Sequence, residues 1–331
     1  MKPDGTLLLT GRDVAALLSI EECMVAVEHA FKLYGEGKTQ PPGILGVHAR
    51  EGGFHIKAGL LKLDRSYFAA KVNANFPENG KRNGLPTIQG VVVLCDAENG
   101  YPLALIDSIE ITIQRTGAAT GVAAKHLARP DSKSVTICGC GNQGRISLRA
   151  LTKVLFLEKV RAYDRDQSQA QTFARELGKE LEMDIEIVAD LETAVRQSDV
   201  CVTCTPSKQP FLKADFVGPG TFIAAVGADN PDKQELEPAL LGRNKLVVDV
   251  LEQSATIGEL HQALDAGVIT REDVYAELGE VVAGLKSGRT TRDEIIIFDS
   301  TGMALQDVVT AAAVYEKALT KGTGILIDFA Q

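Results

Sequence analysis

SVTICGCGNQG, residues 134–144, is an apolar strand pattern followed at once by glycines in the spacing GxGxxG. The spacing alone is weak evidence, and its context decides the reading. Directly after a buried strand, Gly139 permits a tight turn, Gly141 leaves bare backbone against which a pyrophosphate can lie, and Gly144 allows close helix packing. The helix opening at Asn142 and Gln143 then points unpaired N–H groups at phosphates. A glycine-rich turn without a ligand has no need of this strand-turn-helix setting. The next strand pattern, KVRAYD, ends at Asp164, 20 residues beyond Gly144, where a carboxylate accepts hydrogen bonds from the adenosine ribose. A carboxylate there repels a 2′-phosphate, so NAD(H) is expected rather than NADP(H), although Arg165 beside it partly offsets the repulsion.

Strands alternate with helices outward from this turn, from Lys133 to about Asp299, through KVRAYD, DIEIVAD, DVCVTCT, TFIAAVG, KLVVDV and IIIFDS. Such alternation predicts a parallel sheet with right-handed crossovers. Thr205-Pro206-Ser207 and Gly227-Ala228-Asp229 end two of these strands, where ligands of open α/β sheets bind. Residues 1 to about 118 read differently: a strand TLLLT, a helix over 11–36, a hairpin turning at Gly52-Gly53, the alternating run SYFAAKVNAN, and two apolar runs joined by Asn99-Gly100. An Ala-rich helix follows, ended by Pro130, and a C-terminal helix over TGMALQDVVTAAAVYEKALTKG is expected to pack back on this first unit. The fold class is therefore α/β, a Rossmann-type doubly wound parallel sheet (residues 119–300) inserted in an α+β domain (1–118 plus 301–331).

The 331 residues suit about two domains, and 45% apolar with 24% charged residues describes an ordinary folded chain. A net charge of -9 without clustered cations argues against a nucleic-acid surface. No apolar run is long enough to span a membrane, and the N-terminus has no signal-peptide pattern, so a cytoplasmic protein is expected. Five of the six cysteines, Cys95, Cys138, Cys140, Cys201 and Cys204, sit in or beside apolar strand patterns, which argues against a disulfide framework. Cys201 and Cys204 form a CxxC, but no second pair or nearby histidine completes a zinc set, and a redox CxxC opens a helix rather than lying in a strand. No metal is expected.

Some polar residues are out of keeping with their surroundings. Lys71 falls in the apolar strand AAKVNAN, and Arg115 in a helix of small residues, QRTGAAT. Both can be the solvated ends of amphipathic elements, but a recessed Lys and Arg also suit the clamping of a substrate carboxylate. His55 and Lys57 share one strand face and either line the same pocket or meet water. Asp229, in GADNPDK, is an ordinary turn former, yet at a strand tip beside a nicotinamide it suits proton exchange with a substrate amine.

Lys71 with GLPTIQGVVVLCDAENGYPLALID, QRTGAATGVAAKHLAR, ICGCGNQG, VGADNPDKQEL and FDSTG, in one order over residues 6 to 320, resembles the ornithine cyclodeaminase and mu-crystallin family. That family includes cyclodeaminases, alanine dehydrogenases and ketimine or imine reductases. The resemblance implies that the first unit with the C-terminal helix binds substrate and forms a homodimer. It implies Lys71 and Arg115 at the substrate carboxylate and Asp229 as proton donor or acceptor. The cofactor set it implies is Thr87, Arg115, Asn142, Gln143, Asp164, Thr205, Val226, Gly227, Ala228, Asp229, Lys233 and Ser300. Thr116 and Ser207 are counted with these, and Thr301 with the substrate set. One position departs: family members often carry an Arg after the first helix, where this chain has Gly43, so Arg50, His55 or Lys57 is expected to substitute.

The expected chemistry is hydride transfer at the α-carbon of a small amino or imino acid. If water attacks the imine, the enzyme is an amino-acid dehydrogenase; if a preformed imine is reduced, it is an imine reductase. If a terminal amine of the substrate attacks, the outcome is cyclodeaminase chemistry without net redox. The missing Arg favours net redox. A cofactor-dependent ligand carrier of the mu-crystallin type is the remaining alternative.

Overall fold

The computed structural model describes residues 5–328. Packing divides the chain into two compact units, Met1–Arg115 with Met303–Gln331, and Thr116–Gly302.

The chain opens with β1 (Thr6–Leu9), α1 (Gly11–Leu17) and α2 (Ile20–Gly35). The single helix expected over 11–36 is two. Thr10 caps α1 and Ser19 caps α2, each in a reciprocal box with the acid three residues on, Asp13 and Glu22. The second box starts a new helix where the first has run out. Next come β2 (Gly43–Ala49), β3 (Gly52–Lys62), β4 (Ser66–Asn75), α3 (Asn79–Asn83), β5 (Ile88–Asp96), β6 (Pro102–Asp107) and α4 (Ser108–Leu127). The hairpin turn expected at Gly52-Gly53 falls instead on Arg50-Glu51, with Ala49 paired to Gly52 and His48 to Gly53. Gly52 answers a packing need: a Cβ there would lie 2.4 Å from the Asn75 carbonyl oxygen.

Beyond α4 follow β7 (Ser134–Cys138), α5 (Asn142–Leu151), β8 (Lys159–Tyr163), α6 (Gln167–Leu181), β9 (Ile185–Ile187), α7 (Leu191–Arg196), β10 (Val200–Thr203) and β11 (Lys208–Leu212). Then come β12 (Phe222–Ala225), β13 (Gln234–Leu236), α8 (Pro238–Gly242), β14 (Lys245–Val248), α9 (Leu251–Ile257) and α10 (Glu259–Asp265). The last elements are β15 (Ala276–Glu277), α11 (Leu278–Val282), β16 (Ile296–Asp299), α12 (Ala304–Lys321) and β17 (Ile325–Ile327).

In the second unit β15-β14-β16-β12-β10-β7-β8-β9 form one sheet, parallel at every pair. Its central strands are buried along their whole length, as strands covered on both faces must be. This is the Rossmann-type α/β arrangement. The order reverses between β7, which leads to β8, and β10 on its other side, and that reversal opens a crevice at the carboxyl ends of the strands. A small parallel pair, β11 and β13, was not legible as strands.

In the first unit β17-β1-β6-β5-β4-β3-β2 form a mixed sheet. One face is covered by α12, which packs on α2, β3 and β4, and the contact is close enough that a Cβ on Gly59 would lie 2.8 Å from the Leu305 side chain. The apolar Ala/Val stripe of α12 therefore returns to this unit, as its sequence suggests. No helix among the described residues is long and apolar enough to cross a membrane.

Candidate active site

The glycine turn forms as its spacing requires. Gly139 has φ +105°, in the region open to glycine, and a Cβ on Gly144 would lie 2.1 Å from the Gly139 carbonyl oxygen. Gly141 is the N-cap of α5 and has no side chain to satisfy the first N–H groups, while a Cβ there would meet nothing within 4 Å. Bare donors thus face open space at a helix N-terminus, which suits an anion. Asp164 is held beside them: its Oδ2 accepts from Cys140 N at 2.8 Å and its Oδ1 from Asp166 N at 2.9 Å. A cavity of about 750 Å³ lies here, with Gly139, Gly141, Asp164, Arg165, Thr205 and Ser207 on its wall. The volume, the uncapped helix and the fixed carboxylate fit a dinucleotide. The buried Gln143 Oε1 has no hydrogen-bond partner among the described residues, a further sign that a polar ligand belongs there.

The remaining residues expected at the cofactor are placed as follows. Asn142 is exposed on the first turn of α5, and Val226 and Ala228 are buried just past β12. Ser300 is buried after β16, its Oγ without a partner among the described residues. Thr116 is buried in α4, its carbonyl accepting from Thr120 Oγ1. Thr87 is exposed in the loop before β5, its carbonyl accepting from Phe76 N at 2.8 Å. Thr301 is committed internally: its hydroxyl accepts from Gln253 Nε2 at 2.7 Å and donates to Asp249 Oδ1 at 2.8 Å. Asp229 is exposed and paired with Lys233, Nζ to Oδ1 at 2.7 Å. The CxxC is split, with Cys201 inside β10 and Cys204 beyond it, where its Sγ donates to the Gly139 carbonyl at 3.1 Å.

In the first unit, register brings the other candidates together. Lys57 on β3 is directly opposite Lys71 on β4, and His55 is opposite Asn73, so all four share the face covered by α12. Lys71 is 3% exposed, and its Nζ donates to Asp307 Oδ1 at 2.9 Å. Arg115 approaches the same oxygen, Nε at 3.5 Å, and donates from Nη1 to Gln306 Oε1 at 3.2 Å. Burial pushes the Lys71 ammonium down to about 7, opposed by the Asp307 charge and reinforced by Arg115 and Lys57. Arg115 Nε, Gln306 Nε2, Asp307 Oδ2, Asn73 Oδ1 and Ser108 Oγ are all buried with no hydrogen-bond partner among the described residues. A finished structural ion pair would not leave so many polar atoms unmet, whereas a bound molecule carrying both acceptors and N–H donors would meet them.

Arg50 is not brought to this cluster. It is exposed in the hairpin turn, about 20 Å of strand from Lys57. Gly43 pairs with Ala58 and falls on the sheet face opposite to that of Lys57. Lys57, buried against Lys71, is the candidate that the register supports for the role of the absent Arg. Asp307 and Gln306 were missed by sequence reasoning, although an Asp amid ALQDVVTAAAV was a readable anomaly. Glu235 was missed as well: it is fully buried, and its carboxylate accepts from Thr205 N, Thr205 Oγ1 and Gly227 N at 2.6, 2.7 and 3.0 Å.

The model of the ornithine cyclodeaminase/mu-crystallin family matches residues 5–322. An alanine dehydrogenase of Archaeoglobus fulgidus is 44% identical over 326 residues, 98% of either chain. Among solved structures, an archaeal alanine dehydrogenase dimer with bound NAD superposes with a TM-score of 0.93 at 44% identity, covering 98% of this chain and 99% of the other. The Delta(1)-pyrroline-2-carboxylate reductase of Thermococcus litoralis, solved with NADH and L-proline, gives 0.92 at 37% identity, covering 97% and 100%. With the glycine turn, the fixed Asp164 and the buried Lys71–Arg115 cluster in place, the chain belongs to the ornithine cyclodeaminase/mu-crystallin family.

Proposed function

We propose that the protein is an NAD(H)-dependent oxidoreductase acting on the CH–NH or C=N group of a small α-amino or α-imino acid, with net redox as its outcome. The observation that carries this reading is the buried cluster of Lys71, Arg115 and Asp307, whose unmet donors and acceptors call for a small molecule bearing a carboxylate and a nitrogen. Relatives named alanine dehydrogenase and Delta(1)-pyrroline-2-carboxylate reductase support net redox over the cyclodeaminase branch.

The first unit binds substrate in this reading. Lys71 and Arg115 fix the carboxylate, with Lys57 in place of the family Arg. The second unit holds the cofactor along Gly139, Gly141, Asn142, Asp164 and Thr205. Bound NAD(H) supplies or accepts the hydride at the α-carbon. Asp229, whose Oδ1 accepts from Lys233 Nζ at 2.7 Å, gives or takes the amine proton.

To test this, L-alanine, L-proline, L-ornithine and the matching imino acids are supplied in turn while NADH absorbance and released ammonia are followed. Stoichiometric NADH change with an alanine- or proline-type substrate is expected, and Lys71→Ala should lower kcat/KM by about 100-fold while NADH affinity stays unchanged. Ammonia and proline formed from ornithine with only catalytic NAD would overturn the net redox reading, and NADH binding without any turnover would favour a ligand carrier.

The Lys71 ammonium adds a pH signature. With its pKa pushed down to about 7, the charge that holds a carboxylate is present below that pH and lost above it. The substrate KM should therefore rise as pH increases through 7. Asp307→Asn removes the neighbour favouring the charged form, so the rise should move to lower pH. A KM that is flat across this range in both proteins contradicts the assignment.

The sheet face opposite Lys71 supports a homodimer. Leu8, Leu45, Val47, Phe54, Leu60 and Val91 are exposed, and strand pairing puts them on one side with Ile56, Phe68 and Val72. An apolar patch of this extent marks an interface, and a second copy is the occupant proposed here, in keeping with the dimer solved for the archaeal relative. Light scattering should give twice the chain mass for the wild type and a monomer for Leu45→Lys with Val91→Glu. A monomeric wild type refutes it.

A further inference from the structure

We propose that Glu235 is the positioning residue that sets the cofactor loops before the cofactor arrives, by clasping the loop after β10 to the loop after β12. The idea rests on the assignment of NAD(H) to the cavity beside Gly139, and extends it to a buried side chain that does not line that cavity.

Glu235 lies on β13, with no exposure to solvent. Its Oε1 accepts from both the backbone N and the Oγ1 of Thr205, and its Oε2 from Gly227 N at 3.0 Å. Thr205 Oγ1, oriented by that donation, accepts in turn from Ser207 N at 3.2 Å. One carboxylate thus fixes Thr205 directly and Ser207 through it, and both residues are on the cavity wall. The bond to Gly227 N closes residues 227–235 into a loop, and that loop carries Asp229 and Lys233. The fit leaves no slack, because a Cβ on Gly227 would lie 2.4 Å from Glu235 Oε2.

The strand bearing Glu235 is itself held on both sides. β13 pairs with β11, and Gln234 N donates to the Ser207 carbonyl at 3.0 Å. Below it, Glu259 on α10 accepts from Glu235 N at 2.7 Å and Leu236 N at 3.1 Å. Burial of two acids so close together pushes both carboxyl groups up, so this arrangement costs stability. Such a cost is retained where it fixes geometry, and the geometry fixed here is that of the two loops.

The substitution Glu235→Gln keeps the shape but turns one acceptor oxygen into an NH₂ group facing an N–H donor. Three readouts are compared with the wild type: the NADH Kd from nicotinamide fluorescence, the melting temperature, and KM against kcat. Glu259→Gln, which weakens the hold on β13 at Glu235 N and Leu236 N but leaves the Glu235 carboxylate in place, is the control for general destabilisation. Glu235→Gln should raise the NADH Kd by about ten-fold in the folded protein, whereas Glu259→Gln should lower the melting temperature with an NADH Kd within about two-fold of wild type. If Glu235→Gln does not fold, hydrogen exchange on the wild type decides. The Thr205 and Gly227 amides should be protected without NADH, as amides already bonded to a carboxylate are. An unchanged Kd in a destabilised Glu235→Gln, or free exchange at both amides until NADH is added, would overturn the proposal. A wild type that binds no NADH would instead remove the cofactor assignment beneath it.

Discussion

Burying a lysine costs several kcal/mol unless its charge is answered, and the first unit is organised around that requirement at Lys71. The answer is Asp307, 236 residues away in sequence on α12, which packs on β3 and β4. Arg115 on α4 is drawn to the same carboxylate. One anion therefore serves two cations, with Lys57 directly opposite Lys71 on the next strand. The cluster's unmet donors and acceptors make the same point in hydrogen bonds.

The second unit meets its functional needs by a different route. Its cofactor surface is mostly backbone: uncapped N–H groups at α5, a carboxylate held by two amides, and strand ends whose loops carry hydroxyls. Buried carboxylates hydrogen-bond the loops beside it. Glu235 holds two loops, while Asp249 accepts from Thr301 Oγ1 at 2.8 Å and Gly302 N at 2.5 Å at the end of β16. Asp299, pushed up to about 7 by burial, accepts from Leu260 N. Asp229, proposed as the proton-exchanging group, is by contrast exposed.

Residues whose chemistry conflicts with their local surroundings were the readable ones. Gly139, Gly141 and Gly144 could be placed because only glycine permits that turn. Lys71 and Arg115 stood out as cations among small or apolar neighbours, and the register shared by Lys57 and Lys71 follows from strand alternation once both strands are recognised. What escaped were partners fixed by tertiary structure. Glu235, in DKQEL, reads as one more solvated charge, and nothing local shows that β13 will be buried. Asp307 had no visible reason until Lys71 was placed opposite. The split at Ser19 was legible from Ser-x-x-Glu, but a helical apolar period running through it was the stronger signal. The turn at Arg50-Glu51 was misplaced because Gly52 and Gly53 answer the crowding by Asn75 and by the Val47 carbonyl on the neighbouring strands, not a turn.

The most direct test of the account follows the hydrogen itself. L-alanine and L-proline, each deuterated at the α-carbon, are incubated with the protein and NAD, and the nicotinamide is examined by NMR. Deuterium is expected to move to C4 of NADH without exchange into water, and this transfer to be lost in Asp229→Ala. Deuterium released to solvent during turnover, or NADH formed without label, would contradict it.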